Sequence, residues 1–205
     1  MGVKRKTIVT AFACALLLVA ASAARAVEIV GTPGDDTLQG TPEPDQLYGD
    51  DGNDHLYGYA GSDYLEGGPG ADMIAAGVGD DLVIGGTGAD TIAGNQGRDT
   101  VYAGAGNDLV FGGQRDDFLL GQVGDDGVFG GAGDDVIYGG SGNDYIDAGS
   151  GADRIYAGAG DDRINVRDRE RDVVDCGPGS DVVRADRFDV LQGCERRLKR
   201  GEKLP

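Results

Sequence analysis

Aliphatic residues recur at a fixed spacing of nine along most of the chain. Fifteen consecutive nine-residue frames run without a gap from Gly31 to Asn165, and the eighth position of every frame is Leu, Ile or Val. The residues on either side of this position vary in type. One constant aliphatic residue between two variable ones predicts a very short strand, in which only the middle side chain points inward, because side chains alternate between the faces of a strand.

Glycine marks the other half of each repeat. The fourth position is Gly in thirteen frames, with Glu43 and Arg115 as the exceptions, and the first position is Gly or Ala throughout. Glycine at these positions predicts a tight turn with positive φ or close backbone approach. Two repeats then make one 18-residue coil, and successive coils stack as parallel strands about 4.8 Å apart. The chain is therefore expected to be all-β, with two sheets facing each other across a thin aliphatic core.

The sixth position is Asp in all fifteen frames. In stacked coils these residues form two columns, one on each side. The first column is Asp36, Asp54, Asp72, Asp90, Asp108, Asp126, Asp144 and Asp162, and the second is Asp45, Asp63, Asp81, Asp99, Asp117, Asp135 and Asp153. Carboxylates one coil apart repel each other by an energy on the order of 1 kcal/mol. A cation between coils would reverse that repulsion, and oxygen ligands from carboxylates and turn carbonyls suit Ca²⁺.

Composition and charge narrow the functional classes. The 205 residues include 36 acids, 18 bases, one His and three Cys, with a formal net charge of −18. Nucleic acids and anionic membrane surfaces need a positive footprint, so neither is expected as a partner. A zinc finger or a His-rich catalytic metal site is excluded by the lone His55, which is expected on a sheet surface. The carboxylate pairs all lie in the Asp columns, so we expect no catalytic residues and no enzyme activity.

The repeat resembles the repeats-in-toxin (RTX) nonapeptide family, G-G-x-G-x-D-x-U-x with U a large aliphatic residue. Frames 85–93 (GGTGADTIA) and 130–138 (GGAGDDVIY) carry the motif most clearly. The resemblance implies a right-handed parallel β-roll that binds several Ca²⁺ between stacked GGxGxD turns. The stacked turns allow seven sites in the first column and six in the second, so we expect fewer than about thirteen ions, and the charged array with one core residue per repeat is expected to fold only with calcium. Asp45 and Asp117 are expected to be the weakest ligands of the two columns, because the turn before Asp45 has Glu43 in place of glycine and the Arg115 cation would compete with a metal near Asp117.

The first 26 residues have the features of a cleaved signal peptide. Lys4, Arg5 and Lys6 precede an apolar run over 8–21, and Ala24-Arg25-Ala26 follows as a cleavage signal. The apolar run is too short for a transmembrane anchor. We therefore expect a protein secreted to the extracellular space or the cell envelope, with residues 1–26 removed.

The C-terminal segment, residues 166–205, departs from the array. It holds ten bases and nine acids, and the D-x-U signature continues in it with a shifted register. Its Cys-Gly-Pro-Gly-x-Asp run at 176–181 resembles the terminal repeat of secreted bacterial RTX-type proteins. Cys176 and Cys194 are one coil apart, which would place their Cα atoms roughly 5 Å apart, so we expect a disulfide, with two free buried thiols as the alternative. The domains are therefore expected to be signal peptide 1–26, β-roll 31–165 and irregular cap 166–205.

One sheet is expected to present an apolar strip to solvent. Its outward positions include Leu82, Ile84, Tyr102, Phe118, Leu120, Tyr138 and Tyr156, whereas the outward positions of the other sheet look mixed. Such strips are uncommon on soluble monomers. Three interpretations stay open, namely strand propensity alone, a homodimer, or a glycan that stacks on the tyrosines. The alternative to a stand-alone calcium-binding β-roll is therefore a calcium-stabilised adhesive or carbohydrate-binding module that acts through this face.

Overall fold

The computed structural model describes residues 25–199 and 202–204, so the predicted signal peptide lies almost wholly outside the described residues. The described part contains twenty strands and no helix, and therefore no helix able to cross a membrane. The strands are β1 (Glu28–Val30), β2 (Thr37–Gln39), β3 (Gln46–Tyr48), β4 (His55–Ala60), β5 (Tyr64–Pro69), β6 (Met73–Val78), β7 (Leu82–Thr87), β8 (Thr91–Gln96), β9 (Thr100–Ala105), β10 (Leu109–Gln114), β11 (Phe118–Val123), β12 (Gly127–Ala132), β13 (Val136–Ser141), β14 (Tyr145–Ser150), β15 (Arg154–Ala159), β16 (Arg163–Asn165), β17 (Val173–Asp175), β18 (Val182–Arg184), β19 (Val190–Gln192) and β20 (Arg196–Arg197).

The strands form two ten-stranded parallel sheets, one from the odd-numbered strands and one from the even-numbered strands. Neighbouring strands in the array pair 18 residues apart, as in Val110 with Val128 on the even sheet and Leu119 with Ile137 on the odd sheet. The chain is thus a parallel β-solenoid of about nine turns, and the predicted fold class is confirmed. One strand, β1, precedes the first predicted repeat and pairs with β3.

The core is a double row of aliphatic side chains. Every position-8 residue from Leu38 to Ile164 is buried, and Ile29, Val174 and Val183 extend the two rows at the ends. The prediction of one inward residue per repeat was too narrow. From β4 to β15 each strand spans six residues, and position 1 also faces the core, where Ala76 and Ala103 are fully buried. Position 1 therefore accepts only Gly or Ala because the space between coils is small.

The turns depend on a left-handed backbone at positions 2 and 4. At position 4 the φ of Gly70 is 153°, and a Cβ on this residue would overlap the carbonyl oxygen of Gly52 in the preceding coil. Position 2 is less demanding, since Tyr59 and Gln122 adopt φ of 73° and 80° there. The near-constant glycine at position 4 thus follows from coil-to-coil contact as well as from φ.

The C-terminal segment continues both sheets. The odd sheet has the register shift that the sequence predicts, whereas β18 and β20 of the even sheet pair at a spacing of 14 residues, as in Val182 with Arg196, which the sequence did not predict. Strand β15 pairs with β17 at a spacing of 19 residues, as in Arg154 with Val173, and β17 pairs with β19 at a spacing of 17. Cys176 and Cys194 form a disulfide with their Cα atoms 5.1 Å apart, which confirms the predicted bond. The bond joins consecutive coils at the end of the odd sheet.

Candidate metal centre

The position-6 aspartates form the two predicted columns inside the turns. All fifteen are buried, with exposures of 0–7%. Each backbone N–H donates to Oδ1 of the aspartate one coil later, for example Asp54 N–H to Asp72 Oδ1 at 2.7 Å and Asp99 N–H to Asp117 Oδ1 at 2.8 Å. From Asp45 onward, the first carboxylate oxygen of each residue therefore belongs to a hydrogen-bond ladder that runs along the solenoid.

The second carboxylate oxygen has no hydrogen-bond donor among the described residues over most of both columns. This Oδ2 atom is buried and unpartnered in fifteen aspartates, namely Asp54, Asp63, Asp72, Asp81, Asp90, Asp99, Asp108, Asp117, Asp126, Asp135, Asp144, Asp153, Asp162, Asp172 and Asp181. Buried polar atoms in proteins nearly always have a partner, so each of these oxygens indicates an acceptor that needs a cation or a proton.

The raised pKa values of the column aspartates also indicate that these carboxyls need a cation or a proton. Burial raises the pKa of Asp117 to about 7; the N–H of Asp99 opposes this shift and the Asp99 carboxylate adds to it. Burial likewise raises the pKa of Asp63 to about 7, with the carboxylates of Asp81 and Asp45 adding to the rise. Without a cation, therefore, ionisation of these buried carboxyls is energetically unfavourable.

The space around each Oδ2 is lined by backbone oxygen. A Cβ placed on Gly112 would lie 2.5 Å from Oδ2 of Asp117 and 2.6 Å from the carbonyl oxygen of Gly130 in the next coil. The same arrangement recurs at Gly94 with Asp99 and Gly112, and at Gly121 with Asp126 and Gly139. In these coils a carboxylate oxygen and a backbone carbonyl oxygen thus lie near each other, and the carbonyl belongs to a strand rather than to a turn as the sequence predicted.

The donor set fits calcium. No cluster of three or more His, Cys, Asp or Glu side chains occurs within residues 25–199 and 202–204, so no site there is made of side chains alone. Repeated single carboxylates with backbone carbonyls are ligands that Ca²⁺, with its 6–8 oxygens and flexible geometry, accepts readily. The residues that would hold it are the column aspartates through Oδ2, and bound Ca²⁺ would neutralise their charge and link adjacent coils.

The first coil differs from the rest. Oδ2 of Asp36 accepts the N–H and the hydroxyl of Thr32, at 2.5 and 2.8 Å, and Oδ2 of Asp45 accepts the same groups of Thr41, at 2.5 and 3.0 Å. Asp36, which the sequence places with the stronger ligands, therefore has the same environment as Asp45. The threonines at position 2 satisfy these two carboxylates and cap the N-terminal ends of the columns.

The turn at Arg115 differs from most of the others. The N–H of a position-4 glycine usually donates to a carbonyl oxygen of the next coil, as Gly106 does to Val123, and no such bond among the described residues is donated by Arg115. It adopts φ of 76° at position 4, and it is exposed, with no ion pair to another described residue. Asp117, two residues later, keeps a buried and unpartnered Oδ2. The weakness of Asp117 as a ligand, which the sequence analysis based on competition from the Arg115 cation, stays a prediction.

Two further members of the aspartate columns were not predicted from the sequence. Asp172 and Asp181 accept the N–H groups of Asp153 and Asp162, both at 2.9 Å, and so extend the columns into the C-terminal segment. The signal for them was the D-x-U signature at 172–174 and 181–183, which the register shift made less regular. Asp189 and Glu195 accept the next N–H groups and end the two ladders.

A second ladder of hydrogen bonds, which the sequence did not predict, lies outside the columns. At position 5, short side-chain oxygens accept the N–H of the residue one coil later, for example Asp35 from Asn53 at 2.9 Å and Asn107 from Asp125 at 3.0 Å. These bonds are exposed and run opposite to the buried ladder. The frequent Asp and Asn at position 5 therefore clamp the outer side of each turn.

The apolar strip is present on the odd sheet and has a counterpart on the even sheet. Tyr138 and Tyr156 stack with ring centroids 4.7 Å apart, and their exposures are 36% and 41%. On the even sheet Phe111 and Phe129 stack 5.0 Å apart, and Phe129 contacts Tyr145. The expected contrast between an apolar and a mixed sheet thus holds only for the first coils. His55 is exposed on the even sheet, as expected.

Fold and site together define a parallel β-solenoid with a column of buried aspartates along each side of its coils. The family of the RTX calcium-binding nonapeptide repeat (4 copies) matches residues 30–65, 48–83, 57–92, 66–101, 84–119, 102–137, 111–146 and 138–166. The chain belongs to this family, as its sequence motif indicated, and its repeats form a calcium-binding β-roll. A comparison with curated proteins found no match.

Proposed function

We propose that the protein is a secreted, non-catalytic calcium-binding β-roll whose folding is coupled to calcium. The observation that carries this proposal is the row of fifteen buried, unpartnered Oδ2 atoms. Metal that binds only the folded chain adds its binding energy to folding. Fewer than about thirteen ions were expected from the sequence, and the added aspartates Asp172 and Asp181 lengthen both columns.

The proposed division of the chain has three parts. Residues 1–26 are a signal peptide that directs export, residues 31–165 are the calcium-binding array, and residues 166–205 close its last coil. The array carries 26 acids and four bases, so its self-repulsion opposes folding until calcium is bound. The disulfide in the third part suits an exported protein, because thiols stay reduced in the cytosol.

A calcium titration of the exported protein tests this function. We expect little β signal by circular dichroism in excess chelator and a cooperative rise at millimolar Ca²⁺, with several ions per chain counted by mass spectrometry. Mg²⁺ at the same concentration should give a smaller rise, since it demands stricter octahedral geometry. A full β signal in excess chelator would contradict the proposal, as would folding without bound calcium.

The stacked pair Tyr138 and Tyr156 favours a second candidate, an adhesive or carbohydrate-binding module that acts through the odd sheet. Their parallel, half-exposed rings form a platform on which a sugar ring could lie. The same face could join two copies. Replacing Leu82, Phe118 and Leu120 with Ser or Thr should leave calcium-induced folding intact and remove self-association. A calcium-loaded wild type that sediments as a monomer, with tyrosine fluorescence unchanged by glycans, would leave strand propensity as the explanation.

A further inference from the structure

The C-terminal segment contains a basic cavity on an otherwise acidic molecule. Its volume is about 510 Å³, and six basic side chains line it, namely Arg167, Arg169, Arg184, Arg187, Arg197 and Lys199. Only one acidic residue, Asp186, lies among them. None of the six forms an ion pair within residues 25–199 and 202–204, although the chain has twice as many acids as bases. Positive charge is thus concentrated here, and it is offset only in part, by Asp186 in the lining and by Asp189, whose carboxyl interacts with Arg197.

Two local features set the cavity apart, although it also holds one buried acceptor without a donor, Oδ2 of Asp186. The Nε atom of Arg184 is buried and has no acceptor among the described residues. Buried donors are rarely left unpaired, since desolvation without a hydrogen bond costs about 1–3 kcal/mol. Arg169 adopts φ of 91°, a strained conformation for a residue with a Cβ, and such strain is concentrated at functional sites.

The cavity also has an apolar wall. Ala185, Phe188 and Leu198 line it, and Phe188 is 45% exposed. The guanidinium of Arg187 lies over the Phe188 ring, 4.6 Å from its centroid, which holds the cation at the cavity mouth without an acidic partner. A ligand for this cavity therefore combines negative charge with an organic body.

The arrangement of charges selects the kind of anion. Guanidinium groups present forked N–H donors that match the oxygens of phosphate. A long polyanion would extend from the cavity onto the aspartate-rich array, whose repulsion acts over a Debye length of about 8 Å. A compact phosphate ester avoids that repulsion, and the cavity volume is within the usual range of about 300–1,000 Å³ for small-molecule sites.

We propose that this cavity binds the phosphate group of a small organic phosphate of sugar-phosphate size, with Arg184, Arg187 and Arg197 as the main donors. Arg197 already donates to the carbonyl oxygen of Asp186, which fixes its position at the cavity wall. Phe188 would pack against the organic body. This site is separate from the calcium columns and does not depend on them beyond the fold.

Isothermal titration of the calcium-loaded full chain with glucose 6-phosphate tests the proposal, with inorganic phosphate and glucose as parallel ligands. We expect glucose 6-phosphate to bind more tightly than inorganic phosphate, and glucose not to bind. Arg187→Gln should weaken binding by about tenfold or more, as loss of a hydrogen bond to a charged group implies. The matched control Arg154→Gln, an exposed base within the array, should leave the affinity unchanged.

The control for folding is the calcium-induced circular dichroism signal, which each variant should retain. Arg187 is exposed and stacks only on Phe188, so its replacement should be tolerated. Absence of binding to folded wild type, or equal affinity of Arg187→Gln and wild type, would overturn the proposal. Equal affinities for inorganic phosphate and glucose 6-phosphate would overturn the role of Phe188, and binding of glucose alone would overturn the role of the arginines.

Discussion

Replacing one column aspartate by asparagine should have opposite effects with and without calcium. Asp90 is a suitable position because it lies in the middle of its column, is 1% exposed and has an unpartnered Oδ2. Burial raises its pKa to about 7, with the carboxylates of Asp108 and Asp72 adding to the rise. In Asp90→Asn the amide oxygen can still accept the N–H of Asp72, which now donates to Oδ1 at 2.8 Å. The substitution therefore removes the charge and keeps the ladder.

The magnitude follows from the environment of Oδ2. A buried acceptor without a partner costs about 1–3 kcal/mol, and more when it is charged. Without calcium, Asp90→Asn should therefore raise the free energy of unfolding by about 1–3 kcal/mol, because the amide NH₂ replaces an unpaired carboxylate oxygen. With calcium, the variant should bind about one ion fewer and should need a higher calcium concentration to fold.

The residual β signal by circular dichroism in excess chelator, which should be larger in the variant, reports the first effect, and urea unfolding in millimolar calcium measures the second. Ion counting by mass spectrometry gives the change in stoichiometry. The matched control is Asp80→Asn, because Asp80 is exposed at position 5, where asparagine occurs naturally in other repeats, and its Oδ1 accepts the N–H of Arg98. The control should change neither quantity. A variant that loses stability equally with and without calcium, at unchanged stoichiometry, would refute the assignment of Oδ2 as a metal ligand.

Three other outcomes are expected. In excess chelator the β signal should increase as the pH falls from 8 to 4. Burial raises the pKa of the Asp63 and Asp117 carboxyls from 3.8 to about 7 in the folded state. The stability that protonation contributes is therefore full below pH 3.8 and is lost as the pH rises through about 7. Thr41→Val should lower the free energy of unfolding by about 1 kcal/mol, measured by urea unfolding in millimolar calcium, because Asp45 Oδ2 loses its hydroxyl donor. Cys176→Ser should weaken the cap by about 2–4 kcal/mol and broaden the calcium-induced folding transition, followed by circular dichroism, while the array still binds calcium.

Each of these outcomes has a control. An unchanged β signal between pH 8 and pH 4 would contradict the first, and in saturating calcium the direction should reverse because the ligands must be deprotonated. Thr87→Val, at an exposed position 3 in the array, is the control for Thr41→Val and should have little effect. Cys194→Ser should reproduce the effect of Cys176→Ser, and two titratable thiols in the exported wild type would count against the bond.

Most of the array could be predicted from the sequence because its contacts repeat at a constant spacing. A residue in an 18-residue coil meets its own equivalent in the next coil, so the aliphatic core, the two aspartate columns and the Cys176–Cys194 bond all follow from identity and spacing alone. The register shift after Asn165 was predictable for the same reason, since one additional and one missing residue are visible in the D-x-U signature.

The tertiary structure decided what is different at the ends of the solenoid and between its coils. Whether a carboxylate oxygen has a donor depends on the folded turn around it. Thr32 and Thr41 donate to Oδ2 of Asp36 and Asp45. Oδ2 of Asp172 and of Asp181 has no donor among the described residues. The small residues at position 1 likewise reflect space that only the stacked coils define. The basic cavity depends on packing between segments of 166–199 that share no repeat, and a spacing rule cannot locate contacts where the spacing itself changes.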